Sequence, residues 1–306
     1  MSAAQSTAIE FTLGSRRLAA IPRQLSTWSF DLEGILHGDP ACAAPPLPGR
    51  DGIRVLSAPL TAVSALSAHF PQHLMGGQQN YRRHYIAMAG QSYDDYFARY
   101  SGKTRSTLRR KAKRLADKAG GAYEVSEYRS SAELERFFAA ALPLSQLTYQ
   151  ARLLDAGLPD SPEARQEMHN AAANDRLRCF LLKIRSTPIA YLALPITGTT
   201  LVYAHLGYHP DWARFSPGTV LQMVALERLF AEERYDYFDF TEGDGAHKAM
   251  FGTNSVECSS FVLLRPTLTN RALLFAREVF DACVSSAKAI ADQTGSLGRL
   301  RAALRA

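Results

Sequence analysis

Residues 178–241 contain an order of hydrophobic segments that few folds accommodate. Three strand-like segments follow one another in quick succession, RCFLLKI, PIAYLALPIT and TLVYAHLGY. A long apolar helix pattern, PGTVLQMVALERLFAEE, then precedes one more strand-like segment, YDYFDFT. Because a helix that connects two strands of one sheet forms a parallel crossover, this order predicts an α+β fold with a mixed sheet flanked by helices.

The crossover also predicts where a ligand binds. The loop before the PGTV helix follows the C-terminal end of a strand, which is where open α/β sheets bind ligands. Ser216 fits a helix N-cap, Pro217 fits the first turn, and Gly218 lets a phosphate approach. The free N–H groups and partial positive charge of a helix start favour an anion, and Arg214 adds a charged contact. The alternative is that Ser-Pro-Gly only caps a buried helix.

The first hundred residues predict a small mixed module. Alternating apolar residues indicate strands at 9–13 and 17–21, joined by a Gly14-Ser15 turn. Further short strands are expected at 52–56 and 83–88. At the other end of the chain, a helix is expected from about Asn270 to Ile290.

The net charge of +6 is concentrated in one predicted helix. Between Lys103 and Lys118 there are eight basic residues and one acidic residue. Leu108, Ala112 and Leu115 fall on one stripe, which predicts an amphipathic helix with a strongly basic outer face. Such a face either is simply solvated or binds phosphates, and transfer RNA is therefore a possible partner.

Composition and cysteine spacing exclude several classes of protein. With 46% hydrophobic and 21% charged residues, the chain is an ordinary globular protein. Its four cysteines lie far apart without a CxxC pair, so we expect reduced thiols, no disulfide scaffold and no metal site. The N-terminal sequence lacks a signal-peptide pattern, and no segment has the apolar length of a membrane span. We therefore expect a cytoplasmic protein.

Three stretches carry a resemblance to a known family: KTRSTLRRKAKRL, GYHPDWARFSPGTVLQMVALERL and YDYFDFTEGDGAHKAMFG. In this order and spacing they resemble the BioF2-like or CelD-type acetyltransferases of the GNAT superfamily, over roughly residues 85–265. More distantly the chain is similar to the FemAB aminoacyltransferases, which contain two GNAT-like halves. The resemblance implies a degenerate N-terminal half at 1–100, a GNAT core at 101–265, and a C-terminal helix and tail at 266–306.

The resemblance also implies an acyl-CoA co-substrate, either acetyl-CoA or a longer acyl-CoA. In GNAT enzymes the third sequential strand, here Thr200 to Tyr208, splays from its neighbour, and the pantetheine pairs with its backbone. The pyrophosphate then lies at the start of the next helix. The implied donor-binding residues are Leu206, Tyr208, Arg214, Ser216, Gly218 and Thr219. The usual phosphate loop has two spaced glycines after Gln or Arg, whereas this one has a single glycine and a proline.

Polar residues at the end of the YDYFDFT segment are the candidates for chemistry. Attack of an amine on a thioester needs a base and an acid. The candidates are Asp239, Glu242, Asp244, His247 and Lys248. We favour Glu242 as the base, whereas Asp239 is either structural or a carboxylate in the cleft. His247 stands where the family has Tyr in Gly-Asp-x-x-Tyr-Lys, and it is either a proton-transfer group or a surface histidine.

Aromatic and histidine side chains near the predicted splayed strand are candidates for acceptor binding. These candidates are Tyr149, Tyr203, His205 and Trp212. Each also has an ordinary interpretation, because large aromatic side chains usually belong to the core. A histidine inside a strand is commonly a core residue with its hydrogen bonds satisfied.

Three functions follow from the residues and the resemblance. The first is transfer of an acetyl or longer acyl group from acyl-CoA to an amine of a small molecule or saccharide precursor, in exopolysaccharide or natural-product biosynthesis by family analogy. The second is FemAB-like aminoacyl transfer from aminoacyl-tRNA, with the basic helix Lys103 to Lys118 holding the RNA. The third is a non-catalytic GNAT-fold binding or regulatory protein, which the altered phosphate loop would permit.

Overall fold

The computed structural model describes residues 5–13, 16–148 and 157–293. These residues form two compact units. The first unit contains the described residues up to Arg83, the short segment Glu242–Asp244, and the described residues from Ser255 onward. The second unit contains the described residues of His84–Thr241 together with Gly245–Asn254. The division at residues 100 and 265 implied by the family resemblance stays a prediction.

Strands and helices alternate along most of the described chain. The strands are β1 Gln5–Leu13, β2 Arg16–Ser29, β3 Gly52–Pro59, β4 Leu74–Ala87, β5 Glu124–Tyr128, β6 Leu177–Ile184, β7 Thr187–Thr197, β8 Thr200–Val202, β9 His205–Tyr208, β10 Tyr237–Asp239 and β11 Asn254–Leu264. The helices are α1 Leu32–His37, α2 Val63–Ala68, α3 Tyr93–Ala98, α4 Gly102–Ala119, α5 Ser131–Leu147, α6 Pro162–Ala173, α7 Pro217–Phe230, α8 Ala246–Phe251 and α9 Leu268–Gln293. Short 3₁₀ turns lie at Pro40–Cys42, Leu60–Ala62 and Pro210–Phe215.

The first unit is built on a mixed arrangement of strands. β1 and β2 are antiparallel, which confirms the predicted N-terminal hairpin. β2 then runs parallel to β3, and β3 is antiparallel to β11. Trp28, Val55 and Phe261 from these three strands pack in one apolar cluster, so the unit has a core of its own.

The second unit contains the predicted parallel crossover. Its strands lie in the order β10, β8, β7, β6, β5, and β9 pairs with β7. β8 and β10 are parallel, and α7 connects the β8–β9 segment to β10. The α+β class with a mixed sheet flanked by helices is therefore confirmed.

Both faces of the second unit's sheet are covered by helices. Because successive strand side chains point to opposite faces, β6 supplies two separate cores. Phe180 and Leu182 pack with residues of α4 and α7, whereas Cys179 and Leu181 pack with residues of α5 and α6. A strand that is buried on both sides reads as a continuous apolar run, and RCFLLKI is such a run.

Three local features differ from the sequence expectations. The segment TLVYAHLGY is two strands, β8 and β9, because the register against β7 shifts by one residue between them. The segment YDYFDFT contributes only the three residues of β10. The loop expected after β10 contains helix α8. The basic helix is confirmed as α4, and its C-cap residue Gly120 has a left-handed φ of 88°.

Candidate functional site

The second unit contains a place where two neighbouring strands separate. The backbone N–H of Tyr203 donates to the carbonyl oxygen of Asp239 at 2.9 Å, which continues the parallel pairing of β8 with β10. Beyond this point β9 pairs with β7 alone among the described strands. One edge of β9 therefore has no paired strand in the described part of the chain, and this unpaired edge is called the gap beside β9.

The register shift decides which backbone groups face this gap. In an antiparallel pair, alternate residues direct both N–H and C=O to the partner strand. The N–H of His209 donates to Ile189 at 2.8 Å, and the same register pairs Gly207 with Tyr191. The N–H and C=O groups of Leu206 and Tyr208 must then point away from β7. These are the two strand residues that the family resemblance implied for donor binding.

The start of α7 packs directly against β9. A Cβ atom on Gly218 would be 3.2 Å from side-chain atoms of both Leu206 and Tyr208. The missing side chain thus permits close contact between helix and strand. The sequence analysis assigned the room at Gly218 to an approaching phosphate, and that role stays a prediction.

The first turn of α7 presents free N–H groups. Val220 N–H is the first to bond within the helix, to the carbonyl of Ser216 at 3.2 Å. Pro217 has no N–H, so the N–H groups of Gly218 and Thr219 have no intrahelical acceptor. Ser216 lies at the N-cap as expected, but with a left-handed φ of 55° its hydroxyl accepts no capping bond in this described turn. The helix start therefore keeps its donors for another acceptor.

Two further predicted residues lie in the 3₁₀ turn that leads into α7. Arg214 is exposed, and its guanidinium carbon is 4.8 Å from the centre of the Phe215 ring. Trp212 is half-buried and its ring centre is 5.7 Å from that of Phe215. The turn thus places one exposed cationic side chain and one half-buried aromatic side chain just before the free N–H groups.

His247 lies on α8 and contacts α7. Its Nε2 atom is 2.7 Å from Oε1 of Gln222, a fully buried residue of α7. Burial lowers the pKa of His247, and the positive charges of Lys111 and Lys248 lower it further. The imidazole therefore stays neutral down to a lower pH than an ordinary histidine does.

Gln222 was not among the residues expected from the sequence. The periodicity of PGTVLQMVALERLFAEE predicts Val220, Val224, Leu226 and Leu229 as the inward-facing residues and does not include Gln222. Gln222 follows Gly218 by four residues, which places both on one face of the helix. In the sequence, a glutamine four residues after Gly218, on the face of the helix that is buried, is the signal that could have identified Gln222 as a candidate.

Aromatic rings surround the imidazole of His247. The ring centres of Phe251 and Tyr203 lie 4.8 Å and 6.4 Å from its own centre. Tyr203 also packs against Phe238 and Phe240, with ring centres 5.7 Å and 5.4 Å away. Tyr203 lies between β8 and β9 and makes the last backbone hydrogen bond from this segment to β10. The imidazole therefore lies next to the branch point, the place at Tyr203 where the chain leaves β10.

Asp239 has a structural contact at the end of β10. It is buried, and its Oδ1 accepts the backbone N–H of Thr241 at 2.8 Å. Thr241 has a left-handed φ of 61°, so the carboxylate stabilises a sharp turn directly after the strand. Lys248 is half-buried on α8, where its backbone carbonyl accepts from Gly252.

Glu242 and Asp244 belong to the first unit, and both are exposed. Glu242 Oε1 accepts from the Ser57 hydroxyl at 3.5 Å. The Ser57 oxygen is also 2.8 Å from the Tyr81 hydroxyl, and burial together with the charge of Glu242 raises the pKa of Tyr81. Glu242 is therefore one end of a hydroxyl cluster within that unit.

The predicted acceptor residues do not lie on one face. Tyr203 packs in the core that includes α7, whereas His205 has the orientation of Gly207, whose backbone lies against Tyr191 in the core of α5. Burial lowers the pKa of His205, and a hydrogen bond with the backbone of Gly157 opposes that shift. Tyr149 lies outside the described residues.

A separate cleft of about 820 Å³ lies at the opposite end of α7. Its lining includes Asp94, Glu227, Glu233, Arg234 and Asp236, so acidic side chains predominate. Because α7 has 14 residues, its two ends are about 20 Å apart, which keeps this cleft away from the gap beside β9.

Within residues 5–13, 16–148 and 157–293, no group of three or more His, Cys, Asp or Glu side chains is arranged to hold a metal ion. Nor does any helix in this part of the chain combine the length and apolarity that crossing a membrane requires.

The parallel crossover and the mixed sheet flanked by helices form a GNAT-like α+β fold. Residues 102–249 match the family model described as "Acetyltransferase (GNAT) domain", which covers α4 through most of α8. No curated protein matches the chain in sequence.

Several solved structures align with this chain over most of its length. FemX aligns at 12% identity and a TM-score of 0.48, covering 70% of this chain and 72% of its own. L-PGS from Bacillus licheniformis aligns at 14% identity and a TM-score of 0.45, covering 74% and 72%. A conserved protein of unknown function from Bacteroides thetaiotaomicron aligns at 14% identity and a TM-score of 0.45, covering 71% and 78%.

Proposed function

We propose that this protein transfers an acyl group from acyl-CoA to an amine of a small molecule or saccharide precursor. The observation that carries the proposal is the gap beside β9, with the free N–H groups of Gly218 and Thr219 at its end. A gap in a sheet exposes backbone donors and acceptors that an extended ligand can satisfy. The match of residues 102–249 to the GNAT domain family supports acyl transfer as the reaction.

The donor would be held mainly by backbone groups. Leu206 and Tyr208 direct N–H and C=O into the gap, where the two amides of a pantetheine arm can pair with them as a strand would. The diphosphate would accept from the N–H groups of Gly218 and Thr219, where the helix dipole favours negative charge. Arg214 is exposed and close enough in sequence to add a charged contact.

The reaction requires one proton to leave the acceptor. The amine nitrogen forms a bond to the thioester carbonyl carbon, the C–S bond breaks, and the sulfur leaves as the CoA thiolate. Of the five residues expected from the sequence, His247 has surroundings that suit it to take the amine proton, because its pKa is lowered and it is neutral at pH 7. Asp239, Glu242, Asp244 and Lys248 stay predictions for roles in acceptor binding or proton transfer.

The test is binding of acetyl-CoA measured by titration calorimetry, with a charge placed at the start of α7. Thr219→Glu should weaken binding about tenfold or more, since a carboxylate would repel the diphosphate. The same change should not unfold the protein, because an acidic side chain in a first turn stabilises a helix. Thr219→Gln is the control of equal size and should bind nearly as well as the unmodified protein. Absence of binding to the unmodified protein would reject the proposal.

A second candidate is aminoacyl transfer from aminoacyl-tRNA, which the basic face of α4 favours. Lys103, Arg110, Lys113, Arg114 and Lys118 are all exposed there. If this face binds RNA, retention on tRNA should fall steeply with salt and should weaken when these side chains are neutralised. Binding of tRNA without any binding of acyl-CoA would favour this candidate over the first. The finer likeness to BioF2-like or CelD-type enzymes, and a place in exopolysaccharide synthesis, await a screen of amine acceptors.

A further inference from the structure

Gln222 is a buried polar residue with an unmet hydrogen-bonding requirement. Its side chain is fully buried on α7, and its oxygen is satisfied by His247 Nε2. Its Nε2 atom has no partner among the described residues. The imidazole contacts only one of the two polar atoms of the Gln222 amide. Rotating the amide by 180° would therefore leave its oxygen without a partner instead of its nitrogen. Buried amide N–H groups without acceptors are rare, because burial removes the water that would otherwise accept their hydrogen bonds.

The position of Gln222 on α7 places its unsatisfied side-chain N–H group beside the gap. Gly218 and Gln222 are one helical turn apart on the same face of α7. Gly218 packs against the side chains of Leu206 and Tyr208 on β9. On its other side, Gln222 bonds to His247, which packs against Tyr203 at the branch point. The amide therefore lies between the β9 edge and the imidazole.

We propose that Gln222 binds the acyl donor. Its side-chain N–H would donate a hydrogen bond to a carbonyl oxygen of acyl-CoA in the gap beside β9. The inference rests on the proposed function and names a group that neither the sequence pattern nor the family match assigns. An amide or thioester carbonyl of acyl-CoA supplies the required acceptor, and both occur on the chain that extends from the diphosphate.

The same amide also positions His247. When Gln222 Oε1 accepts a hydrogen bond from His247 Nε2–H, the imidazole keeps its proton on Nε2. Nδ1 is then the unprotonated nitrogen that can take a proton from an arriving amine. In this proposal the Gln222 side chain both contacts acyl-CoA and fixes the tautomer of His247, the proposed base.

The experiment compares Gln222→Met with Leu226→Met, a buried residue on the same helix that has no polar group. Calorimetric titrations with acetyl-CoA and with CoA measure affinity, and thermal unfolding without ligand measures stability. Gln222→Met should weaken acetyl-CoA binding about tenfold, which corresponds to the loss of one buried hydrogen bond. The unfolding temperature should stay the same or rise, because the unmet donor is gone. Leu226→Met should leave both affinities unchanged.

Comparing acetyl-CoA with CoA shows which carbonyl group Gln222 binds. Loss of affinity for acetyl-CoA alone assigns the thioester carbonyl, and equal loss for both ligands assigns a pantetheine amide, since only acetyl-CoA carries the thioester. If the unmodified protein binds acetyl-CoA and Gln222→Met binds it equally well, the inference is overturned and the proposed function survives. If the unmodified protein binds neither ligand, both are rejected.

A second readout concerns His247. In Gln222→Met the imidazole loses the partner that selects its tautomer, so the nitrogen-15 shifts of His247 should move toward a mixture of the two tautomers. In Leu226→Met they should stay as in the unmodified protein. Unchanged shifts in Gln222→Met would overturn the positioning role.

Discussion

The backbone of Gly207 lies against the ring of Tyr191, and a Cβ atom at position 207 would be only 2.3 Å from Cε1 of that ring. It would also be 2.8 Å from Cγ2 of Thr148. Glycine is therefore required here by packing, whereas its backbone conformation is available to any residue. β9 can approach its surroundings this closely only at a residue without a side chain.

Gly207→Ala should destabilise the protein. Inserting a methyl group into a packed core costs about 1–3 kcal/mol because neighbouring side chains must move. Chemical denaturation measures this cost. Gly102→Ala is the control, because a Cβ at Gly102 meets no atom within 4 Å and alanine favours the helix. Equal stability of the Gly207→Ala variant and the unmodified protein would contradict the packing described for β9.

Arg178→Ala should be far more destabilising than Arg129→Ala, although both arginines bind Glu232. Arg178 is buried and bonds Glu232 at 2.9 Å, whereas Arg129 bonds it at 3.0 Å from a side chain that is 44% exposed. Removing one partner of a buried pair costs about 3–5 kcal/mol, but an exposed pair contributes at most about 1 kcal/mol. Urea denaturation of the two variants tests the difference. Similar losses would show that Arg178 is not the principal partner of Glu232.

Asp175 should contribute to stability only above its depressed pKa. Hydrogen bonds from Arg178 and Arg234 lower the pKa of Asp175 from 3.8 to about 2. A carboxyl group whose pKa falls on folding stabilises the protein above its unfolded value and loses that effect as pH drops through the folded value. Unmodified protein and Asp175→Asn should therefore differ in unfolding free energy near pH 5 and converge toward pH 2. A difference that stays constant over this range would contradict the ion pairs.

Lys111→Gln should raise the pKa of His247. The positive charge of Lys111 lowers this pKa, with burial as the larger cause. Removing the charge should shift the NMR titration of the imidazole, and the acidic limb of any acyl-transfer rate, toward higher pH. Lys113→Gln is the control, because Lys113 lies on the exposed face of α4. Equal shifts in the two variants would assign the effect to the overall charge of the helix.

The strand and helix order of the second unit could be predicted because its signals are long and regular. The apolar run of β6 and the apolar pattern of α7 each contain enough residues to identify an element. The same holds for α4, where Leu108 and Leu115 are buried as the periodicity predicts.

Each feature that the sequence did not predict involves a single residue or a short segment. One extra residue near Tyr203 and Ala204 shifts the register against β7 without disturbing the apolar pattern, so alternation alone could not reveal it. Helix α8 has six residues, which is too short for a helical period to show. Gln222 was overlooked because polarity usually indicates exposure, and its burial depends on the packing of α7 and α8.

The shifted register also bears on how this protein can change over time. The groups at Leu206 and Tyr208 that face the gap are N–H and C=O, which every residue except proline possesses. Point substitutions that preserve the fold would therefore replace the side chains and leave the proposed backbone recognition of the donor intact. An insertion or deletion of one residue near position 204 would instead turn the wrong peptide groups outward. The proposed donor binding would thus constrain the number of residues in this segment more strictly than their identities.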